Sequence, residues 1–214
     1  MSQNILASWQ FSTKTDSQSL VIPDGCRDLI IKLSPGRKPH WFISALDVKT
    51  RQVEINAGES MQGFRLHPGT RLDEARLLNS VQEQTFARVE EIHNRIDNFC
   101  RLNPTVAEAL AACNTELRSV SRIAKTLGLS QRSLQRLLSR ETGQSPGFWI
   151  QLARVRQAAR ATLGYSTLVD IADLYGFADQ AHMTREFRRW LNVTPATLPG
   201  NKQIVEQLIS PGFG

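Results

Sequence analysis

The rhythm of apolar and polar positions changes twice along the chain. Between residues 20 and 70, short apolar or alternating pieces occur at Ser19–Ile22, Leu29–Leu33, Trp41–Ala45, Gln52–Ile55 and Met61–Leu66. They lie among a dense set of chain breakers: Pro23, Gly25, Pro35, Gly36, Pro39, Gly58, Gly63, Pro68 and Gly69. Period-two patterning cut by turn formers predicts strands, here a small β-rich domain over residues 1–80 built as a partial barrel or sandwich. From Leu72 the breakers vanish until Pro104. Phe86, Val89, Ile92, Ile96 and Phe99 then form a helical stripe, with Glu90, Glu91, Arg95 and Asp97 on the other side. This predicts an amphipathic linker helix within 81–103, heptad-like over about two turns. The stripe suits either the chain's own sheet or the same helix of a second subunit, giving a homodimer through residues 86–100.

From Thr105 onward the pattern is helical throughout. A first helix spans residues 105–113, with Thr105 as its expected cap. Ser119 or Ser121 opens a second, in which Val120, Ile123, Ala124 and Leu127 fall at i, i+3, i+4 and i+7, and Gly128 ends it. Ser130 caps a third, with Leu134, Leu137 and Leu138 inward and Arg132, Ser133, Gln135, Arg136 and Ser139 outward. Helix, glycine turn and helix with an Arg/Gln outer face is the helix-turn-helix layout. The unit then recurs: Ile123, Ala124 and Gly128 return as Ile171, Ala172 and Gly176, an offset of 48. Beyond the turn the offset is 49, pairing Leu134 with Met183, Arg136 with Arg185, Leu138 with Phe187 and Ser145-Pro146 with Thr194-Pro195. Between the copies a longer helix runs from Pro146 to about Leu163. The fold expected is α+β: a β-rich front, an amphipathic linker, and an all-α tandem helix-turn-helix domain over 104–199, followed by a tail at 200–214 in which Ile204, Val205, Leu208 and Ile209 can form a short docking helix.

Charge sharpens this picture. The chain of 214 residues carries a net +6, from 26 Lys+Arg and 20 Asp+Glu. Residues 118–191 hold 12 of those cations against 5 acids, and the remainder is close to neutral. Eleven of the twelve are Arg, whose fork can grip phosphate or guanine through two donors. An anionic partner, duplex DNA, fits both the layout and the charge.

The segments IAKTLGLSQRSLQRLLSRETGQSPGFWI at 123–150 and IADLYGFADQAHMTREFRRWLNVTP at 171–195 resemble the AraC/XylS family of bacterial transcription regulators. In the second, Ala172, Gly176-Phe177, Asp179-Gln180, Phe187-Arg188 and Thr194-Pro195 fall where the family signature has equivalents. PDGCRDLII at 23–31 and FRLHPG at 64–69 further resemble members with a short β-rich front domain carrying a PDGC-D motif. The resemblance implies sequence-specific binding of double-stranded DNA by two recognition helices in successive major grooves. It also implies RNA polymerase as a partner, and a front domain that modulates activity through a small-molecule effector or serves as a protein-interaction module.

Geometry and resemblance together assign candidate roles. Arg132, Gln135 and Arg136 sit near the start of the first recognition helix, the end that reaches base edges. Arg matches guanine O6 and N7, and Gln matches adenine N6 and N7. In the second recognition helix Asp179 is the cap, and Gln180, Ala181, His182 and Arg185 are the base-reading candidates. Ala181 is shorter than the polar residue relatives often carry, and could meet only a thymine methyl. Ser130, Ser133, Thr184, Arg188 and Arg189 are assigned to phosphates. Leu134, Leu137, Leu138, Met183, Phe187 and Trp190 are read as core. Trp9, Trp41 and Phe42 could line an effector pocket or fill the front core.

Enzyme chemistry finds no foothold. His40, His67, His93 and His182 show no HxH, HExxH or CxxC spacing, and no GxSxG, GxGxxG or GxxxxGK[ST] string occurs, so no catalytic residue, metal or cofactor is expected. Cys26, Cys100 and Cys113, odd in number and far apart, predict free thiols. Cys26 follows a turn and precedes Arg27, which could lower its pKa and make it a thiol sensor; the alternative is a small residue packed at a strand start. No stretch approaches the ~20 apolar residues of a membrane span, and Met1–Phe11 lacks the pattern of an export signal, so a cytoplasmic protein is expected.

Overall fold

The computed structural model describes residues 2–82, 89–164 and 167–214. Its front half holds six main strands: β1 (Ile5–Ser12), β2 (Ser17–Val21), β3 (Asp28–Leu33), β4 (His40–Ile43), β5 (Arg51–Ile55) and β6 (Ser60–Leu66). Four form an antiparallel sheet in the order β1-β6-β3-β4, and β2 pairs with β5 as a separate ribbon. The sheet does not close into a barrel. Five strands fall on the pieces expected from the breakers, while β1 was not among them; its alternation of Ile5, Ala7, Trp9 and Phe11 carries a strand signal without flanking Pro or Gly.

Register divides the sheet into two faces. Leu29, Ile31, Trp41, Phe64 and Leu66 point to one face, where α1 (Glu74–Val81) and α2 (Val89–Phe99) cover them with Leu77, Val81, Ile92 and Ile96. On the other face Trp9, Gly63, Ile30 and Phe42 stand in one cross-strand row. Gly63 makes room for the Trp9 indole, since a Cβ there would lie 2.1 Å from the ring, and Trp9 Nε1 donates to Asp28 Oδ2 at 3.2 Å. The expected pocket of Trp9, Trp41 and Phe42 is therefore corrected: alternation puts Trp41 on the helix-covered face and the other two behind it.

The linker stripe is likewise used within the chain. Ile92 and Ile96 are fully buried on the sheet and α1, which removes them from a dimer seam, while Val89 stays exposed. Phe86, the expected start of the stripe, lies outside the described residues. Two short strands, β7 (Arg71–Leu72) and β8 (Cys100–Arg101), pair across the entry and exit of this helical pair.

The rear half is helical: α3 (Pro104–Thr115), α4 (Val120–Thr126), α5 (Gln131–Thr142), α6 (Pro146–Ala161), α7 (Leu168–Leu174), α8 (Gln180–Leu191) and α9 (Lys202–Ile209). Asn103, rather than Thr105, caps α3, accepting from the Thr105 N–H at 2.9 Å, with Pro104 in the first turn where its missing N–H costs nothing. The sequence repeat is a structural repeat. Helices α4 and α7 both have 7 residues and α5 and α8 both have 12. Gly128 and Gly176 turn with φ of +65° and +74°, and both recognition helices end in a left-handed residue, Gly143 and Asn192. Residues 200–214 pack closely: Ile204 and Leu208 of α9 are fully buried, and Phe213 meets Trp149 edge-on at 4.9 Å.

Ile96→Ala should cost about 2–5 kcal/mol through lost burial and a cavity, read as a lower urea midpoint, with the sedimentation mass of the folded protein unchanged.

Candidate nucleic-acid interface

Each recognition helix is built the same way. In α5, Ser130 Oγ accepts the Ser133 N–H at 3.0 Å, and Leu134 and Leu138 are fully buried. That anchoring leaves Arg132, Gln135 and Arg136 exposed at i, i+3 and i+4, one outward stripe in the first two turns. In α8, Asp179 Oδ1 accepts the His182 N–H at 2.5 Å, and Met183 and Phe187 are fully buried. The equivalent stripe, 49 residues on, is Ala181, Thr184 and Arg185. The two stripes therefore share one arginine, Arg136 matching Arg185, and differ where Arg132 corresponds to Ala181 and Gln135 to Thr184.

Gln180, Ala181, Arg185, Arg188 and Arg189 are exposed, and His182 and Thr184 half-buried. The ion pairs of this half, Arg122–Glu116, Arg140–Glu141 and Arg189–Glu186, leave Arg132, Arg136, Arg185 and Arg188 unpaired among the described residues. Other candidates already have one partner within the chain. Nδ1 of His182 accepts the Ala178 N–H at 3.2 Å, and its ring stands edge-on to Phe177. Thr184 Oγ1 donates to the Gln180 carbonyl at 2.9 Å, so its proton is not available to a phosphate while that bond holds. The Ser130 and Ser133 hydroxyls lie 2.9 Å apart at the helix start, and Gln135 Nε2 donates to Ser139 Oγ at 2.9 Å. Arg189 also lies over the Trp190 ring, 5.9 Å from its centroid.

Not every arginine of the basic block faces outward. On α6, Arg154 donates to the Leu117 carbonyl, Arg156 to the Pro23 carbonyl at 3.0 Å, and Arg160 to the Leu208 carbonyl at 2.7 Å and the Gly214 carbonyl. Burial pushes the Arg156 guanidinium down to about 10. These three stiffen the fold, which net charge alone could not distinguish from DNA contact.

Elsewhere the front half holds a cavity of about 290 Å³ lined by Ile31, Leu33, Trp41, Met61, Phe64 and the polar Gln10 and Gln62, among others. Trp41 is the one member of the expected trio that reaches it. Cys26 is buried, and burial with the neighbouring Asp24 carboxylate pushes its thiol well above the ordinary range. Arg27 does not activate it: the guanidinium donates to Glu74 Oε1 at 2.7 Å and to the Ser44 carbonyl. The sensor expectation for Cys26 therefore loses its chemical basis. Cys100 and Cys113 are pushed up to about 12, chiefly by burial. No helix among the described residues is long and apolar enough to cross a membrane.

All three thiols should stay unreactive toward a disulfide reagent at neutral pH until the protein is unfolded by denaturant; fast labelling of Cys26 in the native state would contradict this assignment.

The helix-turn-helix domain family matches residues 123–199. The HTH-type transcriptional regulator RipA of Corynebacterium glutamicum is 35% identical over 92 residues, 43% of this chain and 28% of RipA. A protein of Proteus vulgaris described as "Probable transcription factor PqrA" is 34% identical over 83 residues, 38% of this chain and 68% of PqrA. The crystal structure of a transcriptional regulator with an AraC-type DNA-binding domain from Chromobacterium violaceum aligns at 25% identity and a TM-score of 0.43, over 51% of this chain and 96% of that one. The match thus spans under a third of RipA and about two thirds of PqrA. With its two helix-turn-helix units and its likeness to PqrA, the chain belongs to the AraC-type helix-turn-helix transcription regulators.

Proposed function

We propose that the chain recognises a bipartite site on duplex DNA, laying α5 and α8 in successive major grooves on one face. The observation that carries this is the pair of equivalent outward stripes, each anchored by a capped first turn and each bearing an unpaired arginine, Arg136 and Arg185. Arg132, Gln135, Arg136, Gln180 and Arg185 read base edges. Arg188 and Arg189, with the N–H groups at the helix starts, hold phosphates. Ala181 in place of Arg132 and Thr184 in place of Gln135 make the second half-site the less specified of the two. His182 supports the helix start through Nδ1 and has one ring nitrogen left for contact.

The front half supports modulation by a small effector: its cavity of about 290 Å³ is of a size to admit a compact ligand with an apolar body and a group that the glutamines can bond. A small-molecule screen by thermal shift should yield ligands whose stabilisation is lost in Gln62→Trp, which puts an indole into the cavity from the Ile31 face of the sheet.

Two substitutions separate reading from folding. Arg185→Ala should leave the melting transition in place and cost about 1–3 kcal/mol of discrimination at one base position, measured by binding to duplexes altered one pair at a time. Phe187→Ala should lose about 3–5 kcal/mol of stability and bind poorly because it unfolds. Affinity should fall with salt at a log–log slope of about −0.9 for each phosphate neutralised; a flat series would overturn the proposal.

A further inference from the structure

The two turns that stood out in the front sequence, Pro23-Asp24-Gly25-Cys26 and His67-Pro68-Gly69, take no part in reading DNA, yet both press a left-handed glycine onto the helical half. A Cβ on Gly25, at φ +73°, would lie 2.7 Å from Phe213 Cβ and 2.9 Å from the Trp149 ring. One on Gly69, at φ +79°, would lie 2.7 Å from Leu110 and 2.9 Å from Val106, both on α3, with Thr142 at the end of α5 also in contact at 3.7 Å. Glycine is required at each turn for conformation and for close approach at once. Arg65 ties the first turn in place, with Asp24 Oδ2 at 2.9 Å, Asp28 Oδ1 at 3.2 Å and the Pro211 carbonyl at 2.8 Å.

A third contact falls on the other recognition helix. The Thr50 N–H and hydroxyl both donate to the Trp190 carbonyl, at 3.2 and 2.8 Å. That carbonyl belongs to the last turn of α8, whose acceptors have no partner within the helix. A fourth contact continues the open edge of β2. Gln207 accepts from the Ile22 N–H at 3.0 Å and donates to the Leu20 carbonyl, while Gln203 accepts from the Leu20 N–H and donates to the Gln18 carbonyl, both at 3.3 Å. Two side chains of α9 thus imitate a neighbouring strand.

We infer that the front half is a rigid brace that fixes the separation and rotation of the two recognition helices, and so selects the half-site spacing the protein accepts, with Thr50, Gln203 and Gln207 as positioning residues. The inference rests on the bipartite reading proposed above. The brace touches the first unit near the end of α5 and the second at the end of α8, leaving the starts of both helices free. Helix α6 joins the units as a single rod, helped by one direct link in which Arg118, ahead of α4, donates to the Asp173 carbonyl of α7 at 2.5 Å; a rod can bend, and a third body fastened to both ends closes the frame. DNA makes this consequential, because moving a half-site by one base pair also rotates it by about 34–36° around the duplex axis.

The test uses the full chain with duplexes holding both half-sites at the preferred spacing, both at spacings changed by one or two base pairs, and one half-site alone. Thr50→Val and the double change Gln203→Ala with Gln207→Ala are compared with the unaltered protein, and thermal melts confirm folding. The unaltered chain should bind the preferred spacing far better than its neighbours. Both variants should keep single-half-site affinity within about twofold and lose about fivefold or more of the preference among spacings. Folded variants with the original spacing preference would overturn the inference and leave the bipartite reading standing. If Thr50→Val does not fold, the glutamine pair, on the surface of α9, decides the matter. An unaltered chain indifferent to spacing, or bound through one half-site only, would overturn the bipartite reading and the brace with it.

Discussion

Burial of α6 is the constraint on which the other elements depend. Trp149, Leu152, Ala153, Val155, Ala158 and Ala159 are each at most 1 % exposed, and Arg156 among them is fully enclosed. A helix apolar on most sides is stable only when surrounded, and α3, the two helix-turn-helix units, α9 and the turn at Gly25 supply the surround. Arg156 shows how strict the enclosure is. It donates one bond to the Pro23 carbonyl, while its Nε and Nη2 find no acceptor among the described residues. Each such group costs about 1–3 kcal/mol, which the apolar burial around it must offset.

From that centre the DNA-facing chemistry follows by subtraction. Residues that turn toward α6 become core, and those left outside form the exposed surface proposed to meet DNA. Leu134 and Leu138 in α5, and Met183 and Phe187 in α8, hold their helices against the core. The same rotation that buries them presents Arg136 and Arg185 outward. The repeat explains why the two surfaces share geometry, and Ala181 and Thr184, where the first copy has Arg132 and Gln135, explain why they differ in chemistry. Of the Arg-rich block, Arg154, Arg156 and Arg160 belong to the frame, and the unpaired Arg132, Arg136, Arg185 and Arg188 carry the field that DNA would meet.

The rear half was legible in the sequence because helical period, caps and glycine turns are local signals, and the repeat presented them twice. The caps at Ser130 and Asp179 follow from hydroxyl or carboxylate chemistry at the first free N–H groups. The front half was legible only in part. Breakers located five strands, but β1 pairs with β6, 48 to 61 residues away, and no local pattern states that register. Trp9, Trp41 and Phe42 were grouped by residue type, whereas sheet alternation separates them. The stripe at Ile92 and Ile96 fitted its own sheet or a partner until the sheet's apolar face was located. Arg27 beside Cys26 in sequence is bound to Glu74 in space, and the commitment of His182 and Thr184 to backbone partners is likewise set by conformation.

The central claim is that one chain carries two base-reading helices at a fixed separation. Selecting bound duplexes from a random pool tests it most directly. The structure predicts enrichment of two short motifs about one helical turn apart, roughly 34 Å, with the motif under α5 the more sharply defined. Enrichment of a single motif, or of no sequence at all, would contradict the account.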